Sequence, residues 1–262
     1  MLSFREIINR QHFNHKNEIL PINLIHQWPL ALIFLLFFFP SAAKALEPQQ
    51  IAQQAQQTTV KITGSGLEQS GILITEDKNT YWIMTCTPKD KSVLNKAKII
   101  APDGQPYESL SAQIIHLNQF PISLIPVQIN RSYETANMGD SNSIKLGERV
   151  YIAGFMPASD NRRNPQFIFT EGIISSLAEQ PPKSGFTHTN PIYPGMEGTP
   201  IFSQQGTLIG ISCQNSTLAN RQKKDLQLNW GIPITPLTEL AQQKGLSFGF
   251  SALGSPPPSP NP

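Results

Sequence analysis

Pro194-Gly195-Met196-Glu197-Gly198-Thr199-Pro200 is the stretch on which the reading of this chain turns. Two glycines bracket a Met-Glu pair, and prolines close both ends, which marks a sharp turn. Apolar runs lie on either side. Thr199 to Phe202 and Thr207 to Ser212 follow it, and Gly185 to Thr189 precedes it. A turn set among short apolar runs belongs to a sheet protein, and the rest of the chain is read outward from that point.

Strand-like segments recur on both sides of a polar connector at Asn130 to Asn142. Before it stand Thr59 to Thr63, with polar and apolar residues alternating, then Gly71 to Thr75, Tyr81 to Thr85, Ala97 to Ala101, Gln113 to Leu117 and Ile122 to Ile129. After it stand Arg149 to Phe155, Gln166 to Ser175, the three runs named above, and Leu228 to Ile234. The 23 prolines and 17 glycines agree with many turns and few long helices. Short strands at this spacing predict an all-β chain of antiparallel barrels or sandwiches. Thr235 to Lys244 carries Leu237, Leu240 and Ala241 at helical spacing, with Gly245 as a stop. Glu47 to Gln57, rich in Gln and Ala, reads as a short helical lead-in.

The two ends read as segments outside the fold. Arg5, Arg10 and Lys16 precede a nearly unbroken apolar run from Pro29 to Phe39, and Pro40 ends it. Ser41 to Ala45 then supplies the small residues of an A-x-A cleavage site, so residues 1–45 have the layout of a secretory signal peptide. An uncleaved anchor is the other reading, since counting back to Leu20 reaches the ~20 residues of a membrane span. Residues 1–45 hold four of the 20 basic and two of the 18 acidic side chains, which leaves 16 of each in the rest of the chain. With no basic run left, neither nucleic acid nor an anionic membrane surface is an expected partner after cleavage. Cys86 and Cys213 both lie in the exported part, where a disulfide is permitted. Cys and His are too few for a structural zinc site, so no metal and no cofactor are expected. The Pro-rich end of residues 246–262 is expected to be a disordered tail.

The opening stretch resembles the nucleophile loop of trypsin-like (chymotrypsin-fold) serine peptidases, where a small bacterial member reads Pro-Gly-Met-Ser-Gly-Gly-Pro. Ala136 to Ser141 with Lys145 to Glu148 is similar to that family's entry to its second barrel, as are Val150 to Phe155, Phe169 to Ile174 and Asn229 to Ile234 to later segments. The resemblance covers roughly residues 58–245. It implies two six-stranded antiparallel β-barrels, over about 58–130 and 143–234, with a C-terminal helix.

The same resemblance places the catalytic triad, whose order in this family is His, Asp, Ser. The base position, at the end of a strand, falls on Pro88 in Thr85-Cys86-Thr87-Pro88-Lys89. The orienting carboxylate falls on Ser123 in Ser123-Leu124-Ile125-Pro126-Val127, and the nucleophile on Glu197. Proline has no side-chain nitrogen, and the other two replacements cannot do the family's jobs either. The resemblance also implies that the backbone N–H groups of Gly195 and Glu197, with Gly198 holding the turn, form an oxyanion-hole-like loop. Either the Glu197 carboxylate folds back onto those donors, or it points into solvent. Cys86 and Cys213 fall in regions that are neighbours in the family's fold, either as a disulfide or as two free thiols.

The expectation is an exported, non-catalytic homologue that binds a peptide or protein. Two alternatives stand beside it. One is an active serine-type endopeptidase with relocated residues, in which His188 pairs with Glu197 and Thr199 attacks. The other is a structural envelope domain. His116 reads as a barrel residue.

Overall fold

Alternating residues set the first sheet. In β1 (Thr59–Gly64) Val60 and Ile62 turn inward, and β2 (Leu67–Asp77), β3 (Thr80–Cys86), β4 (Lys98–Ile100), β5 (Pro106–Glu108), β6 (Ile115–Leu117) and β7 (Ile122–Gln128) join it. The protein is described here from a computed structural model covering residues 45–157, 165–177, 185–213 and 229–248, all within the unit Ala43–Pro262. The expected leader, but for Ala45, and residues 249–262 of the expected tail lie outside the described residues.

The order in the first sheet is β5-β4-β1-β2-β3-β7-β6. Between β2 and β3, Lys78 and Asn79 both take positive φ (50° and 65°), the two-residue turn whose twist suits a hairpin. The sheet curls until Ser109, just past β5, bridges Val127 of β7, with Leu110 N–H donating to the Pro126 carbonyl at 2.8 Å. Pro126 stands where β7 has run past the end of β6, so its missing N–H breaks no pairing with that strand. Six strands therefore close through one bridge, and β6 is a seventh, hung on β7. Leu73, Tyr81, Ile83, Leu94, Ile99 and Val127 fill the interior.

β8 (Arg149–Met156), β9 (Gln166–Leu177), β10 (Phe186–His188), β11 (Thr199–Phe202), β12 (Leu208–Ser212) and β13 (Asn229–Pro233) form a closed barrel in the order β10-β13-β12-β11-β8-β9. Val150, Ile152, Ile174, Phe186, Met196 and Ile201 fill it. A third apolar cluster joins the two sheets, with Ile72, Met84 and Leu124 from the first against Tyr151, Phe202 and Ile211 from the second. Two helices seal this seam. α1 (Pro48–Thr58) brings Ile51 and Ala55, and its start is tied by a reciprocal Glu47–Gln50 capping box. α2 (Ile234–Gln243) brings Ile234, Leu237 and Ala241. Leu246 and Phe248 pack on the same cluster, and Thr75 donates from Oγ1 to the Ser247 carbonyl at 2.7 Å. The fold therefore continues to Phe248, past the tail boundary drawn at 246, because alternate apolar residues there still find the core.

Candidate functional site

The turn at 194–200 is held by main-chain atoms. The Glu197 carbonyl accepts from Ser70 N–H of β2 at 2.8 Å, and Gly198 N–H donates to the Ser212 carbonyl of β12 at 3.0 Å. Met196 N–H donates to the Tyr193 carbonyl at 3.0 Å, while the Met196 side chain is fully buried in the second barrel. Gly198 has φ +82°, and a Cβ there would sit 2.2 Å from the Ser70 carbonyl oxygen and 2.4 Å from Thr85 Oγ1. Only glycine lets the turn press this closely on β2 and β3.

Two side chains then define the turn's chemistry. Glu197 is half-buried, and its Oε2 accepts from the Gly195 N–H at 2.8 Å. Thr199 is buried and donates its hydroxyl to the Met196 carbonyl. Its methyl is accommodated by Gly154, where a Cβ would lie 2.2 Å from Thr199 Cγ2. The extra carbon at 199 is thus matched by a missing one on the facing strand.

A buried polar seam links this turn to the end of β3. Thr85 donates from Oγ1 to the Ser70 carbonyl at 2.6 Å, and Gln69 Nε2 donates to Thr85 Oγ1 at 2.8 Å and to the Cys86 carbonyl at 3.1 Å. Pro88 follows, half-buried. Thr87, just before it, stands 2.7 Å from Ser123 through their hydroxyl oxygens. The structure thus gathers the surroundings of Pro88, Ser123 and Glu197 at one junction of the two sheets.

Ser123 is fully buried, and its Oγ also lies 2.8 Å from His116 Nδ1. The two are directly opposed on the β6–β7 hairpin. Burial and then the positive charge of Lys91 push His116 below the ordinary histidine range. His116, expected as a barrel residue, lies in β6 opposite Ser123, a contact that the residue pattern does not announce. The opposition follows from hairpin register, which a turn over Asn118 to Pro121 leaves undetermined until the strands are seen to pair.

Cys86, at the end of β3, and Cys213, just past β12, are joined by a disulfide with a Cα–Cα distance of 5.8 Å. The bond crosses from the first sheet to the second beside Pro88. Both cysteines are buried.

His188 and Thr199, the residues of the relocated reading, bond to other partners in the structure. His188 is fully buried, with Nε2 3.2 Å from Ser212 Oγ and Nδ1 without a hydrogen-bond partner, and the Thr199 hydroxyl is committed to its own turn. Burial lowers the His188 pKa to about 4, partly offset by Asn190. The unfolded chain, with an ordinary pKa near 6.5, binds the extra proton first, so His188 stabilises the fold fully above about pH 6.5 and that stability is lost as pH falls towards 4. The loss is on the order of 3 kcal/mol. Thermal unfolding at pH 7 and pH 4.5 should show a larger drop for the natural chain than for His188→Asn, and equal drops would refute it.

A model of the trypsin-like peptidase domain matches residues 69–211. A probable periplasmic serine endoprotease, DegP-like, of Pseudomonas savastanoi pv. phaseolicola is 32% identical over 113 residues, 42% of this chain and 22% of that protein. One of the same description from Halomonas elongata is 28% identical over 179 residues, 66% of this chain and 34% of the relative. The chain spans about a third or less of the curated relatives it matches.

Proposed function

The chain belongs to the trypsin-like peptidase family, and from that premise we propose that it binds peptide or protein segments without cleaving them. One observation carries the reading. At the position of the nucleophile, the Glu197 side chain turns back on its own loop and takes the Gly195 N–H, a donor that peptidases of this family direct at the oxyanion. A charge-assisted bond of this kind is about twice as strong as a neutral one, so a substrate carbonyl competes poorly for that donor. Pro88 and Ser123 support the same reading, since neither provides a base or an orienting carboxylate. Loss of a whole triad removes on the order of 10⁶ in turnover. Binding of an extended segment along a strand edge requires no nucleophile.

The relatives named above are periplasmic by description. Together with the leader-like residues 1–45, this supports an extracytoplasmic location, which N-terminal sequencing of the exported protein checks.

A fluorophosphonate probe tests the central claim. Neither the natural chain nor Glu197→Ser is expected to be labelled, because restoring a hydroxyl at 197 leaves no base at 88. Covalent labelling of the natural chain at any residue defeats the reading.

A further inference from the structure

We propose that the cavity beside Ser123 binds the free carboxylate of a peptide C-terminus whose last residue is apolar. This rests on the reading of the chain as a peptide-binding homologue and names the end of the peptide that is held. The cavity measures about 350 Å³ and is walled by Thr87, Lys91, His116, Asn118, Gln119 and Phe120, among others. That is the lower end of the range for ligand pockets, about 300–1,000 Å³, and suits a residue-sized end group.

The chemistry of the wall selects the charge. Among the described residues, Lys91 is the one formally charged side chain lining the cavity, and no carboxylate lines it. Asp90, its neighbour in sequence, is turned onto Ser92, with Oδ1 accepting from the backbone N–H at 2.9 Å and from the hydroxyl at 2.7 Å. The amides of Asn118 and Gln119 add neutral donors, and Phe120 offers an apolar face. An anion with an apolar side group satisfies all of these together, whereas a cation meets Lys91.

Two of the wall residues are linked through Ser123 behind them, in a chain of Thr87 Oγ1, Ser123 Oγ and His116 Nδ1 spaced 2.7 Å and 2.8 Å. Each hydroxyl has one proton, so the chain has two polarities. In one, His116 carries its proton on Nε2, Ser123 donates to Nδ1 and Thr87 donates to Ser123. In the other, Nδ1–H donates to Ser123, Ser123 donates to Thr87, and the Thr87 hydroxyl points into the cavity. A bound carboxylate accepts from Thr87 and so selects the second polarity. Its negative charge is read out as the tautomer of an imidazole two bonds away. The depressed basicity of His116, from burial and Lys91, keeps that imidazole neutral at pH 7, as two tautomers require.

The test uses the whole exported chain with ¹⁵N-labelled histidine, titrated with N-acetyl-Ala-Ala-Leu as the free acid and as its C-terminal amide. The acid should bind about tenfold more tightly than the amide, with His116 in the Nδ1–H tautomer in the complex. Lys91→Gln should bring the two affinities to within about twofold of each other. Equal affinities, no saturable binding of the acid, an Nε2–H tautomer in the complex, or a preference that survives Lys91→Gln would each overturn the proposal. So would acetate competing at the same concentration as the peptide, since the site would then take any small carboxylate. Fluorophosphonate labelling sinks the non-catalytic reading and leaves an acid-over-amide preference standing. Equal acid and amide affinities in an unlabelled protein sink this proposal alone.

Discussion

Replacing Cys86 and Cys213 together by alanine is expected to lower the unfolding temperature by roughly 10–20 °C. The bond closes a loop of 127 residues in sequence separation. Restricting so long a loop removes much of the unfolded chain's freedom, on the order of 4–5 kcal/mol in the chain-entropy account. For a domain of this size, each kcal/mol moves the midpoint by about 2–4 °C. The effect should be concentrated at the contact between the sheets, because the bond runs from the end of β3 to the end of β12. Calorimetry with and without reductant gives the same comparison on the natural chain. A shift under about 3 °C, or alkylation of both thiols in unreduced exported protein, would show that the staple is not formed or not needed.

Gly198→Ala carries the second large effect, a destabilisation of about 3–5 kcal/mol. Two penalties add. The left-handed backbone costs a residue with a Cβ about 1–2 kcal/mol. The new methyl also meets the Ser70 carbonyl at 2.2 Å, a main-chain atom fixed in β2 that has no rotamer to escape into. Gly104→Ala separates the two terms, since Gly104 has the same φ of +82° with nothing within 4 Å. It should lose only the backbone part, about 1–2 kcal/mol. Denaturant unfolding of both variants decides the matter. Similar losses at 104 and 198 would mean that the turn is not wedged against β2 as described.

Much of this fold can be read from residues alone. Val60 and Ile62 alternate with polar neighbours, and the structure turns both inward. The runs from Arg149 to Phe155 and Thr207 to Ser212 become β8 and β12 of a closed barrel. What pattern does not reveal is register and closure. No residue type announces that Ser109 will bridge Val127, since one backbone pairing leaves no mark in composition. The prolines beyond Leu246 and Phe248 make that end read as a tail, yet these two apolar side chains pack on the core. At the site, the positions of Pro88, Ser123 and Glu197 follow from the resemblance to the family's motifs. The contacts of Ser123 with His116 and Thr87 depend on which strands face each other, and only the paired hairpin supplies that.

The turn at 194–200 also shows how the main-chain shape of a loop can be set apart from the side chain at its tip. Its anchors are the carbonyl of residue 197, the N–H of residue 198 and the N–H of residue 196. None of these atoms depends on which side chain residue 197 carries. These main-chain anchors hold the turn whichever group stands at the tip, and the Glu197 carboxylate adds its own bond to the Gly195 N–H. Such a loop separates what fixes its form from what fixes its chemistry. Its main-chain anchors hold the shape, and position 197 sets the chemistry offered at the tip.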